Sequence, residues 1–595
     1  MQQPLVPQKR QRTQESDLSN KTKGQQHKDY MEKRTQHSRK YDRQIRLWGV
    51  HGQRSIESSH TVVLGSGALA SETLKNLVLP NMGEFTVVDD AVTSPVDLSN
   101  NFFVCDDDLD KPRAEAVCAA LLEMNPDASG KAFAKSPLAL IESELAFFDE
   151  ATLVVACEMW GAPLRRLADY LFKRHIPLLV ARTNGLIGQV RLCVPEHTVI
   201  ESHGDGDRKD LCVDAKRLAE FDELRAFCDR FSINSDASDY EHAHVPMLVI
   251  LAKVSQEWHQ QHGGKPSTAE EKEEFKRLIK RYRRSDAELN FDEALANAYK
   301  VWAPPVDFAV TDVLSRAVDK VAAIDGSTTG ETLPSQHDLF WLQALALRRF
   351  QEAHDGLLPV SADIPDMQCD TQTYLSLKKV PTPVPPCYIH INLCFAKVFA
   401  ERAKRDCAQF LLLVQQVLQE RNLPASALSE QDMRHFFKHH RFLQASDYTS
   451  LDSEYASGKV DLDDIGTWDG RDANEDTGMP VVPHTSDWYA ALRVAELFFE
   501  REGRLPGSED AKYQEDLKKV SALARECSQH WDCEVSDDCV RELCRYGGAQ
   551  LHNIGALLGG VTSQAALKLV TRQYIPLNNC FLFNGIHGIA ATLRL

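Results

Sequence analysis

No run of consecutive apolar residues in this chain approaches the ~20 needed to cross a bilayer as a helix. The longest, such as Met247–Ala252, are far shorter, and no apolar signal-peptide core stands near Met1. The expectation is a cytoplasmic protein with no membrane contact. An excess of positive charge is missing too: the net charge is −18, which argues against a general nucleic-acid binder and against anionic lipid surfaces. The 15 cysteines include no C-x-x-C pair and no Cys/His cluster at zinc-ligand spacing. Without a secretory signal they read as reduced, mostly buried thiols, and neither a structural zinc site nor any other metal is expected.

What is present is the composition of an ordinary globular protein, 43% hydrophobic and 26% charged. At 595 residues the chain is too long for one core, so two to four domains are expected. Residues 1–40 carry ten Lys/Arg against four Asp/Glu with few apolar residues, a disordered basic tail. Within it Lys9-Arg10-Gln11-Arg12 is either a solvated stretch or a nuclear-import patch.

The chain is organised around Tyr41–Asp90. Thr61–Leu64 reads as a buried strand, Gly65-Ser66-Gly67 as a turn, Ala68–Leu79 as a helix and Phe85–Val88 as a second strand ending in Asp89 and Asp90. Such a G-x-G-x-x-A turn lets backbone approach a phosphate at a helix N-terminus, while the acid reaches a ribose hydroxyl. A plain strand-to-helix turn is the other reading. A helix at Lys111–Met124, a strand at Thr152–Ala156, a helix at Ala162–Lys173 and strands at Pro177–Ala181 and Leu186–Val194 follow. This alternation predicts a Rossmann-like, doubly wound α/β domain over 41–195. Residues 196–535 read as an inserted, mainly helical domain containing an atypical Pro-rich stretch at 379–394 and an acidic loop at 446–485. Residues 536–595, with a helix at His552–Val570 and short strands after Tyr574, are expected to complete the first sheet.

Several separated motifs carry a resemblance. Tyr41-Asp42-Arg43-Gln44 through Gly49, the glycine turn, Lys75-Asn76-Leu77, Asn100-Asn101-Phe102 and Lys111-Pro112-Arg113-Ala114-Glu115 resemble the adenylation domain of ubiquitin-activating (ThiF-like) enzymes. Ile364-Pro365-Asp366-Met367, Cys544-Arg545-Tyr546-Gly547 and the stretch from Ile554 to Lys568 resemble one branch, the non-catalytic regulatory subunits of heterodimeric neddylation-activating enzymes. The resemblance implies two related α/β domains facing each other, of which only one adenylates the C-terminus of a ubiquitin-like modifier. That modifier is then captured as a thioester on the catalytic subunit and passed to a conjugating enzyme.

On that resemblance this chain is the incomplete half. The phosphate-binding Arg of an active N-L-N-R-Q-F motif corresponds to Asn100 in Asp97-Leu98-Ser99-Asn100-Asn101-Phe102. The expected Lys is Arg113, and the expected Mg²⁺-binding Asp falls at Trp160, whose indole offers no oxygen ligand. Gly65, Gly67, Asp89 and Arg113 are therefore read as a vestigial nucleotide turn, with ATP and magnesium held by the catalytic partner. The nucleophile's P-x-C-T context is absent as well. Pro385-Pro386-Cys387-Tyr388 is the nearest look-alike, and it reads as an insertion. The family's trans-acting Arg corresponds to Arg43, with Arg46 a weaker second candidate and an ordinary surface Arg the alternative. Gly356–Met367 (Gly356, Ile364, Pro365, Asp366 and Met367) is either a loop that packs on the catalytic subunit or a solvent-facing linker. Two competing readings are the SUMO-activating regulatory subunit, expected to be much shorter, and an autonomous Rossmann-type nucleotide enzyme.

Overall fold

The computed structural model describes residues 37, 39–202, 210–234, 238–303, 308–324, 335–360, 367–368, 398–457, 485–531 and 535–595. The basic tail up to 36, the stretch 379–394 with Cys387, residues Ile364, Pro365 and Asp366, and most of the expected acidic loop lie outside them. The chain forms two compact units, one of residues up to His197 together with Ser446–Leu595, the other Thr198–Ala445.

The first unit is built on an eight-stranded sheet. In chain order its strands are β1 (His60–Leu64), β2 (Glu84–Val88), β3 (Ser129–Phe133), β4 (Leu153–Cys157), β5 (Leu178–Asn184), β6 (Ile187–Cys193), β7 (Cys580–Asn584) and β8 (Ile589–Leu593). Their spatial order is β8-β7-β6-β5-β4-β1-β2-β3. The segment β3-β2-β1-β4-β5 is parallel, and β6, β7 and β8 add antiparallel strands beyond β5. The expected doubly wound sheet and its completion by the C-terminal strands are both present. Strand β3 has no counterpart in the sequence reading. It is a half-exposed edge strand, SGKAF, whose three small residues and lysine leave no apolar run to notice.

Strand β6 is buried at all seven positions. Helix His552–Thr571 covers one face of the sheet, and Ile187 packs on the other with Trp488 and Leu492 of helix Thr485–Glu502. That helix belongs to the α/β unit. Its apolar side joins Cys580, Leu582 and Leu593 of the C-terminal hairpin in one cluster. The expected insertion of 196–535 is therefore corrected to Thr198–Ala445. Helices Thr485–Glu502 and Tyr513–His530 each present an apolar face, but helical periodicity does not say which core such a face will meet.

Helix His552–Thr571 is long and apolar enough to cross a membrane by length and composition, and 61% of that apolar window is buried inside this unit. It lies against helix Ala68–Val78 at a spacing that requires glycine. A Cβ on Gly559 stands 2.8 Å from Glu72 Cβ and 2.9 Å from the Thr73 nitrogen. The apolar length is thus used for close helix packing at the sheet surface.

The second unit is helical, with two clusters. One gathers Phe221, Phe227, Leu248, Trp258, Phe275 and Phe291, and the other Trp341, Phe340, Phe410, Val414, Phe436 and Ile200. Of the expected partner loop, Gly356 is exposed with φ +87°, Leu358 and Val360 are buried, and Met367 packs at the edge of the first cluster. The described ends of that segment therefore serve the chain's own core.

Candidate functional site

β1, β2 and β4 end together where the strand order reverses, the place where open α/β sheets form a ligand crevice. An open cleft lies there, lined by Gly65, Gly67, Asp89, Asp90, Arg113, Cys157, Glu158, Trp160 and Gln550 among others. The structure thus brings together the four residues read as a nucleotide turn, Gly65, Gly67, Asp89 and Arg113. Gly65 takes φ +95°, where L side chains are strained, and its N–H donates to Val88 O at 2.9 Å. Gly67 precedes helix Ala68–Val78, whose N-terminus has no side-chain cap. A Cβ there stands 2.9 Å from Gln550 Oε1, so a side-chain amide lies over the turn.

Both oxygens of the acid at the end of β2 already accept hydrogen bonds. Asp89 Oδ2 accepts from the Ser66 N–H at 2.9 Å, from the Ser66 hydroxyl, and from Arg113 Nη2 at 2.7 Å and Nε at 3.2 Å. Its Oδ1 accepts from the Ala91 N–H at 3.0 Å. The same guanidinium donates through Nη1 to Asp97 at 2.6 Å. Asp97 is fixed by the Ser94 N–H and hydroxyl in the capping box of helix Pro95–Asn100. Burial opposes charge on both carboxylates, and the hydrogen bonds with the Arg113 charge outweigh it, holding both below the usual carboxylate range. Burial likewise opposes the Arg113 charge, and Asp89 and Asp97 together raise its pKa. Among the described residues lining the cleft Arg113 is the only cation, and both its edges are committed to carboxylates.

The other expected positions have changed occupation. Asn100 ends helix Pro95–Asn100 and donates through Nδ2 to the Gln550 carbonyl at 3.4 Å. Buried Asn101 donates to the Ser66 carbonyl at 3.0 Å and braces the glycine turn. Trp160 is 5% exposed and lies under the Arg182 guanidinium, whose carbon is 4.1 Å from the ring centroid. Arg182 pairs with buried Glu496 at 3.1 Å and donates to the Met159 carbonyl at 2.8 Å. Where the resemblance calls for a metal-binding carboxylate, the chain has a ring covered by a fixed cation. Glu158 also lines the cleft. Burial lifts its carboxyl to about 7, partly offset by hydrogen bonds from Thr183 N and Oγ1. Burial, with Glu158 nearby, pushes the Cys157 thiol well above its ordinary value, so the cleft holds no reactive thiolate. Among the described residues every cysteine is unpaired and all but Cys105 are buried.

Sequence reasoning missed Ser66, Asp97, Asn101, Gln550 and Glu158. The capping spacing Ser94-x-x-Asp97 was a readable signal. Gln550 reaches the turn only through the tertiary path of the chain.

Arg43 lies elsewhere, in helix Asp42–Glu57, which breaks at Gly49 with φ +69°. Buried Tyr41 anchors the start of this helix, its hydroxyl 2.9 Å from Asp127 Oδ2 and 3.2 Å from Asn125 Oδ1. Gln573 Nε2 donates to the Trp48 carbonyl at 2.7 Å. Between these fixed points Arg43 is exposed and forms no ion pair or hydrogen bond among the described residues. Arg46 is paired to Asp42 at 3.0 Å.

Residues 41–594 match the model of the ThiF family. The chain is 32% identical over 572 residues to a NEDD8-activating enzyme E1 regulatory subunit of Danio rerio, covering 94% of this chain and 99% of that protein. It is 33% identical over 566 residues to the Xenopus laevis protein of the same name, covering 93% and 98%. With the Arabidopsis thaliana regulatory subunit AXR1 it shares 31% over 562 residues, covering 93% and 96%. The chain belongs to the ThiF family, in the branch of the NEDD8-activating enzyme E1 regulatory subunits.

Proposed function

We propose that this chain is the regulatory half of a heterodimeric enzyme that activates the ubiquitin-like modifier NEDD8, and that it binds no ATP or magnesium itself. In this reading the catalytic partner joins the modifier's C-terminal carboxylate to the α-phosphate of ATP, releasing pyrophosphate. The partner's cysteine thiolate then displaces AMP to form the thioester that a conjugating enzyme receives. The observation that carries the reading is the Ser66–Asp89–Arg113–Asp97 network. A polyphosphate entering the cleft meets the carboxylates of Asp90 and Glu158 and no cation that is not already paired. A ribose finds each Asp89 oxygen already accepting a hydrogen bond, and at the position where the resemblance calls for a metal-binding carboxylate stand the Trp160 ring and the Arg182 guanidinium, neither of which offers an oxygen ligand. These residues do not fit the nucleotide.

Arg43 supplies this chain's contribution to the chemistry. It stands on a helix pinned at Tyr41 and Trp48, exposed and without an ion pair or hydrogen bond among the described residues, as suits a guanidinium delivered in trans to a phosphate. Its charge stabilises the negative charge that shifts as pyrophosphate departs.

ATP–pyrophosphate exchange with the modifier tests the reading, on this chain alone and with a catalytic subunit. Exchange is expected only in the mixture, and Arg43→Ala is expected to lower it by roughly 10²-fold with heterodimer assembly unchanged. Exchange by the chain alone refutes the cofactor-free reading. Unchanged exchange in the mutant heterodimer removes the trans role.

A further inference from the structure

The helical unit carries a cluster of metal-ligating side chains apart from the cleft. His435 and His439 are four residues apart on helix Glu430–His439 and so share a face, their ring centroids 4.8 Å apart. Met433, Phe436 and Phe437 bury the opposite side of that helix in the unit's core, and Ser429 caps its N-terminus, so the histidine backbone is fixed. Glu201 comes from the other end of the unit's sequence. Ile200 packs in the same core, the Ser202 N–H donates to the Phe442 carbonyl at 3.2 Å, and the Phe442 N–H donates to the His439 carbonyl at 2.8 Å. These contacts set a Glu201 carboxylate oxygen 3.6 Å from His439 Nε2. One ligand atom from each of the three residues lies within 4.8 Å of the other two.

We propose that Glu201, His435 and His439 form a binding site for a divalent transition-metal ion, zinc in particular, with water as the fourth ligand. Tetrahedral zinc with bonds near 2.0–2.2 Å needs ligand atoms about 3.4 Å apart. The Glu201–His439 separation already meets this, and rotamer adjustment of His435 closes the rest. Two imidazoles and one carboxylate suit zinc, cobalt or nickel better than magnesium or calcium, which favour all-oxygen shells. His439 is the last helical residue, where carbonyl dipoles favour a positive charge. Glu201 and His439 keep 19% and 10% of their side-chain surface, enough for an ion to enter and for a water to remain. Such an ion clips together segments about 230 residues apart in sequence, a linkage whose stabilising effect grows with the length of the closed loop. The expectation of no metal site rested on Cys/His spacing alone, and the carboxylate is brought in only by the fold.

The full chain, stripped with a chelator, is titrated with Zn²⁺ by calorimetry and with Co²⁺ by visible absorption, alongside Glu201→Gln and His435→Gln. Wild type is expected to take one Zn²⁺ at this site, to melt at higher temperature with zinc, and to give Co²⁺ d–d bands without thiolate charge transfer. Each variant should keep the metal-free circular dichroism spectrum while losing affinity by at least ~10²-fold and losing the zinc-dependent rise in Tm. Absence of binding in wild type, binding retained by both variants, or a cobalt spectrum dominated by thiolate ligation overturns the proposal.

Discussion

Replacing Arg113 by alanine removes the one cation from a buried cluster and leaves two carboxylates facing each other's field. Asp89 is 5% and Asp97 7% exposed, and their Arg113 contacts are 2.7 and 2.6 Å. Breaking a buried ion pair by deleting one partner costs about 3–5 kcal/mol, because the remaining charge keeps its desolvation penalty. Ser66, Ala91 and Ser94 still donate to the carboxylates, so the expected loss for Arg113→Ala at pH 7.5 is one such term, about 3–5 kcal/mol, not two. With two units in the chain a global melting curve mixes transitions, so the assay is amide hydrogen exchange in β1 and β2, which report on this unit. At 1.4 kcal/mol per tenfold, exchange is expected to quicken by about 10²-fold or more. The sign of the pH effect follows from the carboxylates. In wild type their pKa values are depressed in the folded state, so their stabilisation is complete above the unfolded value near 3.8 and is lost as pH falls through the lowered folded values. In the mutant burial dominates and their pKa values rise, so the mutant's deficit narrows as pH is lowered from 7.5 toward 5. A mutant within 1 kcal/mol of wild type at pH 7.5, or a deficit that grows on acidification, refutes the claim that Arg113 is a structural counter-ion. An arginine kept for nucleotide would behave in that way.

Gly559→Ala and Gly560→Ala should move stability in opposite directions when followed by amide hydrogen exchange in helix His552–Thr571. Both gain about 1 kcal/mol of helix propensity, but a Cβ at Gly559 meets helix Ala68–Val78 backbone at 2.9 Å while one at Gly560 meets nothing within 4 Å. The expected outcomes are a net loss of about 1–2 kcal/mol for the first and a gain of about 0.5–1 kcal/mol for the second. Glu158 has a folded pKa raised to about 7 from an ordinary 4.5, so its contribution to stability is present below pH 4.5 and is lost as pH rises through 7. Glu158→Gln is therefore expected to leave amide protection of β4 and β5 nearly equal to wild type at pH 5 and to add stability on the order of 1–3 kcal/mol at pH 8. Weaker protection than wild type at pH 8 would show that the charged carboxylate is favoured in the fold.

The local sequence by itself determined the βαβ unit around Gly65, because strand, turn and helix there are each set by apolar period and glycine. It determined the family through motifs at Tyr41–Gly49, Asn100–Phe102 and Ile554–Lys568, and through that resemblance it put Asn100, Arg113 and Trp160 where an active half is expected to carry Arg, Lys and Asp. Strand β3 stayed hidden because an edge strand needs no apolar run, and Thr485–Glu502 was assigned to the wrong unit because helical spacing marks an apolar face and not its partner. Only the tertiary structure decided what the substituted residues do. In the sequence Arg113 reads as part of a vestigial nucleotide turn, and its partner Asp97, sixteen residues upstream, becomes visible only in the fold, where it takes the second edge of the guanidinium. Trp160 could have been simple core until Arg182 was found across its face. The reason is physical: hydrophobic period and backbone preference act over a few residues and are written locally, whereas charge pairing and ligand geometry depend on which distant segments the folded chain brings within 3 Å.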